Sequence, residues 1–255
     1  MPLDLVTVPC LSDNYAFLLH DAETGATAVI DVPEAAPIAA ALDEHGWTLS
    51  EVWLTHHHAD HVQGLDALLV GREARVLGAR ADAHRLPPLD LELADGDTFD
   101  FAGREVHVMD VSGHTVGHIA LYLPEERIAF TADSLMALGC GRVFEGTMPQ
   151  MWDSLSKLAK LPPETTICSG HEYTEANGRF AVTIEPGNAA LKSRIDAIAA
   201  ARAKGEPTVP SQLSEELATN PFLRANDAPV REHLGMIDAP AAEVFAEIRR
   251  RKDTF

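Results

Sequence analysis

Short apolar segments separated by polar turns fill the first part of the chain. From Leu3 to about Asp110 these segments are rich in valine, leucine and isoleucine and are bounded by glycine, aspartate or asparagine, a pattern that predicts β-strands. Apolar positions at helical spacing predict two helices among them, Ala35 to His45 and His61 to Gly71. The predicted strands are LDLVTV, YAFLLH, ATAVIDV, EVWLT, ARVLG and EVHVMDV.

The second part of the chain changes from strands to helices. Strand-like segments resume with IALYL, RIAFT and TTICSG, and MPQMWDSLSKLAKL predicts an amphipathic helix. After Tyr173 two long helices are predicted, NAALKSRIDAIAAARAKG and a last one with Asp238 as N-cap and Pro240 near its first turn. The pattern favours an α+β fold, with two packed sheets and outer helices over residues 1–173 and a helical domain over residues 174–255.

One turn concentrates side chains that bind metals. The segment T-H-H-H-A-D-H directly follows the apolar run V-W-L, where a strand should end. His56 and His58 are two residues apart, so an extended backbone projects both to one side, while His57 points away. Asp60 and His61 begin the next predicted helix, and a solvated loop with Asp60 as a helix cap is the alternative. The pair His56 and His58 and the pair Asp60 and His61 together exceed the ligands that one tetrahedral zinc usually takes from a single loop. The turn therefore predicts two adjacent ions.

Three more predicted strand ends carry one metal-competent side chain each. His114 follows VHVMDV, Asp133 follows IAF and His171 follows TICSG, and loops at strand ends are where a rigid sheet presents a site. Each of them alone has an ordinary alternative as a surface residue or a helix cap. Spacing does not choose His114 over His118 in S-G-H-T-V-G-H. The other side chains that spacing leaves open are His57, His84, His107 and Asp110.

Composition and charge limit the classes of partner. The 255 residues include 46% hydrophobic and 23% charged side chains, as expected of a globular protein. A formal net charge of -19, with a pI of about 4.9, repels polyphosphates unless the cations are gathered in one place, so no nucleic acid partner is expected. The three cysteines form no C-x-x-C pair, and no signal-like or membrane-spanning run is evident. We therefore expect a cytoplasmic protein without a membrane partner. We also expect a monomer.

Several motifs together resemble the metallo-β-lactamase superfamily: T-H-H-H-A-D-H, G-H-T-V-G-H, T-A-D-S and S-G-H-E-Y. The segments C-L-S-D-N-Y, G-C-G-R-V-F-E-G-T, H-E-Y-T-E-A-N, E-P-G-N and the terminal R-R-R-K-D are similar to glyoxalase II, the hydroxyacylglutathione hydrolase family. The resemblance spans the chain. It implies an αββα metallo-β-lactamase sandwich followed by a helical domain that binds a glutathione substrate.

The resemblance also implies a ligand set for two divalent metal ions. Asp60 and Asp133 are the implied catalytic residues in addition to being ligands. Zinc is the favoured ion, and imidazole, carboxylate and water ligands also suit iron and manganese. The implied ligands are His56, His58 and His114 for the first ion, Asp60, His61 and His171 for the second, and Asp133 shared by both.

The implied reaction is hydrolysis of S-(2-hydroxyacyl)glutathione thioesters, such as S-D-lactoylglutathione, in methylglyoxal detoxification. The carboxylates of such a substrate need local cations on so acidic a chain, and the densest basic run is Arg249 to Lys252. The same cations would also complement the dipole of the last helical turn without any ligand. Phe144 stands where some relatives have tyrosine, so one phenolic hydrogen bond is lost. The implied glutathione contacts are Arg142, Phe144, Tyr173, Arg249 and Lys252.

Related activities are the alternatives. Enzymes with similar ligand sets cleave lactones, β-lactams or RNA phosphodiesters, and a metal-binding scaffold without turnover would keep the ligands alone. A nuclease should show a broad basic surface. A persulfide dioxygenase would need a single iron, whereas Asp60, His61 and His171 together favour two metals. The sequence therefore predicts a dinuclear metallohydrolase that acts on a thioester.

Overall fold

The computed structural model describes residues 3–255, which divide into two compact units. The first unit extends to Asp110 and includes Val116–Ala132, and the second comprises Val111–Thr115 and Asp133–Phe255. No helix among the described residues combines the length and the apolar character that crossing a bilayer requires. The domain boundary predicted between residues 173 and 174 stays a prediction.

The first unit contains all but one of the strands predicted from the sequence, and two short ones besides, Leu91–Leu93 and Thr98–Phe101. In chain order its elements are β1 (Asp4–Cys10), β2 (Asn14–His20), β3 (Thr27–Ile30), α1 (Ala35–His45), β4 (Glu51–Leu54), α2 (Ala59–Val62), α3 (Leu65–Leu68), β5 (Arg75–Ala79), a 3-10 turn (Arg80–Asp82), β6 (Leu91–Leu93), β7 (Thr98–Phe101), β8 (Arg104–Asp110), β9 (Ile119–Leu123) and β10 (Ile128–Ala132). Strands β1 to β6 form one sheet in chain order, antiparallel up to β3 and parallel from β3 onward. Strands β7 to β10 pair as antiparallel neighbours.

Aromatic side chains pack these two sets of strands together. Trp53 on β4 is fully buried, and its ring centroid lies 5.1 Å from Phe99 and 5.2 Å from Phe101 in nearly perpendicular contacts. Phe130 on β10 lies 6.2 Å from Trp53 and 5.8 Å from Phe17 on β2. Aromatic pairs of this kind bury large apolar areas in preferred edge-to-face geometry. The packing therefore fixes β4, the strand that leads directly into the histidine-rich turn.

The parallel pairing of β3 with β4 brings two strand ends to one edge of the sheet. Val29 lies opposite Val52 in this register, and both are fully buried. Because parallel strands end on the same side, Asp31 after β3 lies beside Thr55 after β4. The backbone N–H of Thr55 donates to Oδ1 of Asp31 at 2.9 Å.

The predicted helix from His61 to Gly71 is wrong in its extent. The structure instead has the short helices α2 and α3, which are separated at Gly64. Gly64 approaches another backbone segment closely, since its N–H donates to the carbonyl of Val32 at 2.9 Å and a Cβ there would lie 2.8 Å from the nitrogen of Ala35. That close approach requires glycine and interrupts the helix.

The second unit is mainly helical. Strands β11 and β12 pair as an antiparallel hairpin, and β13 pairs with β14. Leu138, Ala181, Leu191 and Ile198 form a buried apolar cluster that joins this hairpin to two of the helices. The elements are β11 (Leu135–Met136), β12 (Gly139–Cys140), α4 (Met148–Leu158), β13 (Thr166–Ser169), α5 (Thr174–Ile184), α6 (Ala189–Arg202), β14 (Ser211–Gln212), α7 (Leu213–Thr219), α8 (Ala228–Leu234) and α9 (Ala241–Asp253).

Local sequence explains where α4 and α9 begin. Thr147 and Gln150 form a reciprocal capping box at the start of α4, with contacts of 2.9 and 3.3 Å. The prediction that Asp238 caps the last helix is wrong, because the N-cap is Pro240. Pro240 is extended, with φ of -57° and ψ of 145°, so the helical turns begin only at Ala241, too far along the chain for the Asp238 side chain to cap.

Candidate metal centre

The histidine-rich turn gathers three imidazoles within the first unit. His56 is fully buried, and its ring centroid lies 4.8 Å from that of His58 and 4.2 Å from that of His61. The turn runs from the end of β4 into α2, which contains Asp60 in its first turn. The predicted pairs on this turn are therefore adjacent in the folded chain.

Asp31, which was not predicted as a site residue, orients this turn from the end of β3. Its Oδ2 accepts hydrogen bonds from Nδ1 of His61 at 2.7 Å and from the hydroxyl of Thr55 at 2.8 Å. A proton held on Nδ1 leaves Nε2 of His61 as the nitrogen with a lone pair for a metal. Asp31, His56 and His61 each also offer a ligand atom within 4.8 Å of the others. The only signal in the sequence is its position at the end of ATAVID.

Asn14 is a second site residue that was not predicted from the sequence. Its Nδ2 lies 3.0 Å from the carbonyl oxygen of Asp60 and 3.1 Å from Oδ2 of the same residue. The amide therefore fixes both the backbone and the carboxylate of Asp60. The motif C-L-S-D-N-Y contained this residue, although nothing in its spacing pointed to Asp60.

His57 lies apart from the imidazole cluster, in agreement with the alternation expected for an extended turn. Its Nδ1 donates to Oδ2 of Asp82 at 2.9 Å, and Asp82 is fully buried and also pairs with Arg85. His57 thus ties the turn to the segment after β5.

The remaining histidine candidates occupy different surroundings. His118 is fully buried, stacks on His56 with a centroid distance of 4.5 Å, and donates from Nδ1 to the carbonyl of Ile119 at 3.2 Å. His107 pairs with Glu105 on the outer face of β8 at 2.6 Å. His84 is exposed after the 3-10 turn. Of these side chains only His118 touches the imidazole cluster.

A second group of ligands lies within the second unit. Oδ2 of Asp133 lies 3.4 Å from Nε2 of His114 and 3.3 Å from Nε2 of His171. All three side chains are buried, with exposed fractions of 4% to 6%. Two imidazole nitrogens therefore lie close to one carboxylate oxygen, and both residue types are common metal ligands.

His114 is held by the loop that follows β12. Its Nδ1 donates to the carbonyl oxygen of Arg142 at 2.7 Å, which leaves Nε2 directed at Asp133. Gly141 packs so closely against this ring that a Cβ there would lie 2.8 Å from Nδ1 of His114 and would clash with the carbonyl oxygen of Asp133. Imidazole and carboxylate donors of this kind fit divalent metal ions, and in His61 and His114 a hydrogen bond at Nδ1 leaves Nε2 available.

The predicted substrate contacts all lie in the second unit. Tyr173 stacks on His171 with centroids 4.6 Å apart, and Phe144 lies 5.3 Å from His114. Both aromatic rings are partly exposed, at 40% for Tyr173 and 60% for Phe144. Arg142 lies 5.9 Å above the Phe144 ring. These side chains present an apolar and cationic rim beside two of the candidate ligands.

Two cations of the basic run Arg249 to Lys252 are predicted substrate contacts, and they differ in burial. Arg249 is buried, donates from Nη1 to the carbonyl oxygen of Cys140 at 2.8 Å, and pairs with Asp253 at 2.9 Å. Lys252 donates to the carbonyl of Ala176 at 3.3 Å. Burial, followed by the charges of Arg249 and other groups, lowers the pKa of Lys252 to about 8.

Comparisons with known proteins cover the whole chain. Residues 15–171 match the sequence model described as "Metallo-beta-lactamase superfamily", and residues 172–255 match "Hydroxyacylglutathione hydrolase C-terminus". A protein of Roseobacter denitrificans named hydroxyacylglutathione hydrolase is 66% identical over 255 residues, which cover 100% of both chains. The chain belongs to the hydroxyacylglutathione hydrolase family. Its membership rests on both halves of the sequence.

Solved structures confirm the fold expected of a hydroxyacylglutathione hydrolase. The BLEG-1 B3 metallo-beta-lactamase matches with a TM-score of 0.67 at 18% identity, over 86% of this chain and 99% of that one. A protein solved in a di-iron-bound form matches with a TM-score of 0.55 at 28% identity, over 66% of this chain and 91% of that one. The predicted α+β fold, a metallo-β-lactamase sandwich with a C-terminal helical domain, is confirmed.

Proposed function

We propose that the chain hydrolyses S-(2-hydroxyacyl)glutathione thioesters, with S-D-lactoylglutathione giving D-lactate and glutathione, and thereby serves methylglyoxal detoxification. The observation that carries the proposal is the carboxylate of Asp133, whose Oδ2 lies between the imidazoles of His114 and His171. It occurs in a chain that is similar over its full length to a protein named hydroxyacylglutathione hydrolase.

Two divalent ions are part of the proposal. Zinc is the ion we propose, because its usual ligands are imidazole and carboxylate, and iron or manganese is compatible with the same donors. A relative of known structure binds two irons. The proposed ligands are His56, His58 and His114 for the first ion, Asp60, His61 and His171 for the second, and Asp133 for both.

Bound ions would supply a water-derived nucleophile at neutral pH and polarise the thioester carbonyl. The protein's own part is orientation. Asp31 holds the proton of His61 on Nδ1, and the carbonyl of Arg142 does the same for His114, so both rings keep Nε2 available. The leaving thiol has an ordinary pKa of about 8.5 and departs as a thiolate, so no dedicated general acid is required.

Residues 174–255 are proposed to bind the glutathione part of the substrate together with the rim beside the ligands. Lys252 and Arg142 supply cations on a chain whose net charge is -19. Arg249 completes the set by exchanging its contact with Asp253 for a substrate carboxylate. Tyr173 and Phe144 supply aromatic surface for the rest of the peptide.

The proposal also includes a cytoplasmic location and a monomeric state. Cys10, Cys140 and Cys168 are all free and buried, which supports a reducing cytoplasm. The partner is a small molecule. All proposed ligands and contacts come from a single chain, so a monomer suffices for activity.

The experiment is to follow loss of the thioester of S-D-lactoylglutathione with protein whose metal content has been counted. A thioester without glutathione, a lactone and a phosphodiester serve as controls, and oxygen uptake with glutathione persulfide tests for dioxygenase activity. We expect turnover of the glutathione thioester but not of the thioester that lacks glutathione, in protein with about two metals per chain. If protein loaded with both metals leaves the thioester intact, the substrate assignment is wrong and the control activities identify the replacement.

A further inference from the structure

The hairpin of β11 and β12 is held by side chains rather than by a broad sheet. Every residue from Met136 to Cys140 has a backbone group bonded to a buried polar side chain of the helical region. The bonds are Asn220 Nδ2 to the oxygens of Met136 and Gly139 at 3.0 Å each, Asn177 Nδ2 to the oxygen of Ala137 at 3.0 Å, the nitrogen of Leu138 to Oε2 of Glu216 at 2.8 Å, and Arg249 Nη1 to the oxygen of Cys140 at 2.8 Å.

Two of these polar side chains are fully buried, which costs desolvation free energy that apolar side chains at the same positions would not. Glu216 on α7 and Asn220 just after it are fully buried, and Glu216 pairs with Arg194. Burying a carboxylate and an amide is unfavourable unless each hydrogen bond is made. The hairpin supplies those bonds. The same bonds hold the hairpin in a conformation in which Leu138 has a φ of 54°, which is unfavourable for a residue with a side chain.

The hairpin connects directly to two of the candidate ligands. Asp133 lies two residues before it, and Gly141 and Arg142 lie immediately after it. The N–H of Gly141 donates back to the carbonyl oxygen of Asp133 at 3.0 Å, and the carbonyl of Arg142 accepts from His114 Nδ1 at 2.7 Å. A shift of the hairpin would therefore move the backbone of Asp133 and the acceptor of His114 together.

We propose that Glu216 and Asn220 are positioning residues for Asp133 and His114, acting through the hairpin 135–140. Neither side chain reaches a ligand atom. Their effect is to fix the backbone whose two ends set the direction of the Asp133 carboxylate and the tautomer and tilt of the His114 ring. The proposal rests on the proposed role of Asp133 and His114 as metal ligands, but not on the identity of the substrate.

The test compares Asn220→Ala with wild type after substitution with cobalt(II), whose visible absorption reports ligand geometry. We expect a changed spectrum, faster loss of cobalt to a chelator and a kcat lowered by about tenfold or more, the range typical of groups that orient metal ligands. Glu185→Gln is the matched control. Glu185 is a buried carboxylate whose side-chain hydrogen bonds are to Arg224 and Asn188 rather than to the hairpin.

A pair of changes at Glu216 separates positioning from stability. The amide introduced by Glu216→Gln can still accept from the N–H of Leu138 but loses the charge opposite Arg194, so the melting temperature should fall while the cobalt spectrum stays unchanged. Glu216→Ala removes the acceptor and should alter the spectrum. Unaltered spectra and cobalt release in Asn220→Ala and Glu216→Ala, with melting temperatures lowered as in the control, would overturn the proposal. Altered spectra in a protein without thioesterase activity would contradict only the proposed function.

Discussion

The ammonium nitrogen of Lys252 lies 5.3 Å above the centroid of the Phe180 ring. Its hydrogen bond is to the carbonyl of Ala176, and no carboxylate among residues 3–255 lies within ion-pair distance of it. A half-buried cation that lacks an anionic partner is stabilised when a carboxylate binds beside it. The contact therefore supports Lys252 as an anchor for a substrate carboxylate.

Replacing Lys252 with methionine should raise KM for S-D-lactoylglutathione by about tenfold with little change in kcat. Hydrogen bonds to charged groups contribute about 1.5 to 3 kcal/mol, and each 1.4 kcal/mol corresponds to a factor of ten. A loss of binding that is equal in ground and transition states appears in KM alone. Lys192→Met, at an exposed position on α6, is the control. An unchanged KM in Lys252→Met would leave the tail cations with a purely structural role.

The pH dependence of KM should report the same side chain. Burial, followed by the charges of Arg249 and Arg179, lowers the pKa of Lys252 to about 8, whereas Cys140 acts in the opposite direction. The ammonium form is the one that binds a carboxylate, so KM should be flat below neutral pH and rise as pH passes 8. Any change in the ionisation of the substrate with pH affects the KM of wild type and of Lys252→Met equally. The difference between their two KM profiles therefore isolates Lys252, and parallel profiles would contradict the assignment.

Asp133→Asn should lower kcat by at least about 100-fold, because the proposed shared ligand loses its charge. The amide still fits between His114 and His171, so the fold should persist. Metal analysis after dialysis should find fewer than the wild-type number of ions. Asp153→Asn, on an exposed face of α4, is expected to retain both activity and metal. Full metal content and activity in Asp133→Asn would exclude a bridging role.

The strands and longer helices were predictable because their patterns are local. Alternating or continuous apolar runs identified β1 to β5, and helical spacing identified α4 and α6. Helix α5 was missed, since Asn177 and Gly178 interrupt its apolar face. Gly178 lies where a Cβ would be 3.2 Å from Ile195, and Asn177 bonds to the hairpin, so tertiary contacts explain both residues. The two-residue strands β11 and β12 have no periodicity to detect.

The residues of the candidate site also differ in whether they could be predicted from the sequence. The histidine turn was recognisable because its candidate ligands lie close together in the sequence. Asp31 was not recognisable, because its contact with His61 depends on the parallel pairing of β3 and β4. Spacing likewise left His114 and His118 equivalent, whereas folding directs His114 at Asp133 and stacks His118 on His56.

Cys140→Ala should retain wild-type kcat. Burial raises the pKa of the Cys140 thiol to about 11, with the nearby Arg249 acting in the opposite direction, so the thiol is protonated at neutral pH and is a poor nucleophile. Intact wild-type protein should accordingly resist alkylation at pH 7 and react only when unfolded. Rapid alkylation of the native protein at Cys140, with loss of activity, would contradict this expectation.

Asp31→Asn should weaken the metal affinity of His61 by about 10-fold to 100-fold. The N–H of Thr55 requires an acceptor at Oδ1, so the new amide nitrogen would replace Oδ2 and face Nδ1 of His61. His61 then has to accept at Nδ1 and carry its proton on Nε2, the nitrogen that is needed for a metal. The measurement is the chelator concentration that removes half of the bound metal, with the exposed Asp66→Asn on α3 as control. Equal chelator resistance in the two variants, at comparable melting temperatures, would show that Asp31 does not set the tautomer of His61.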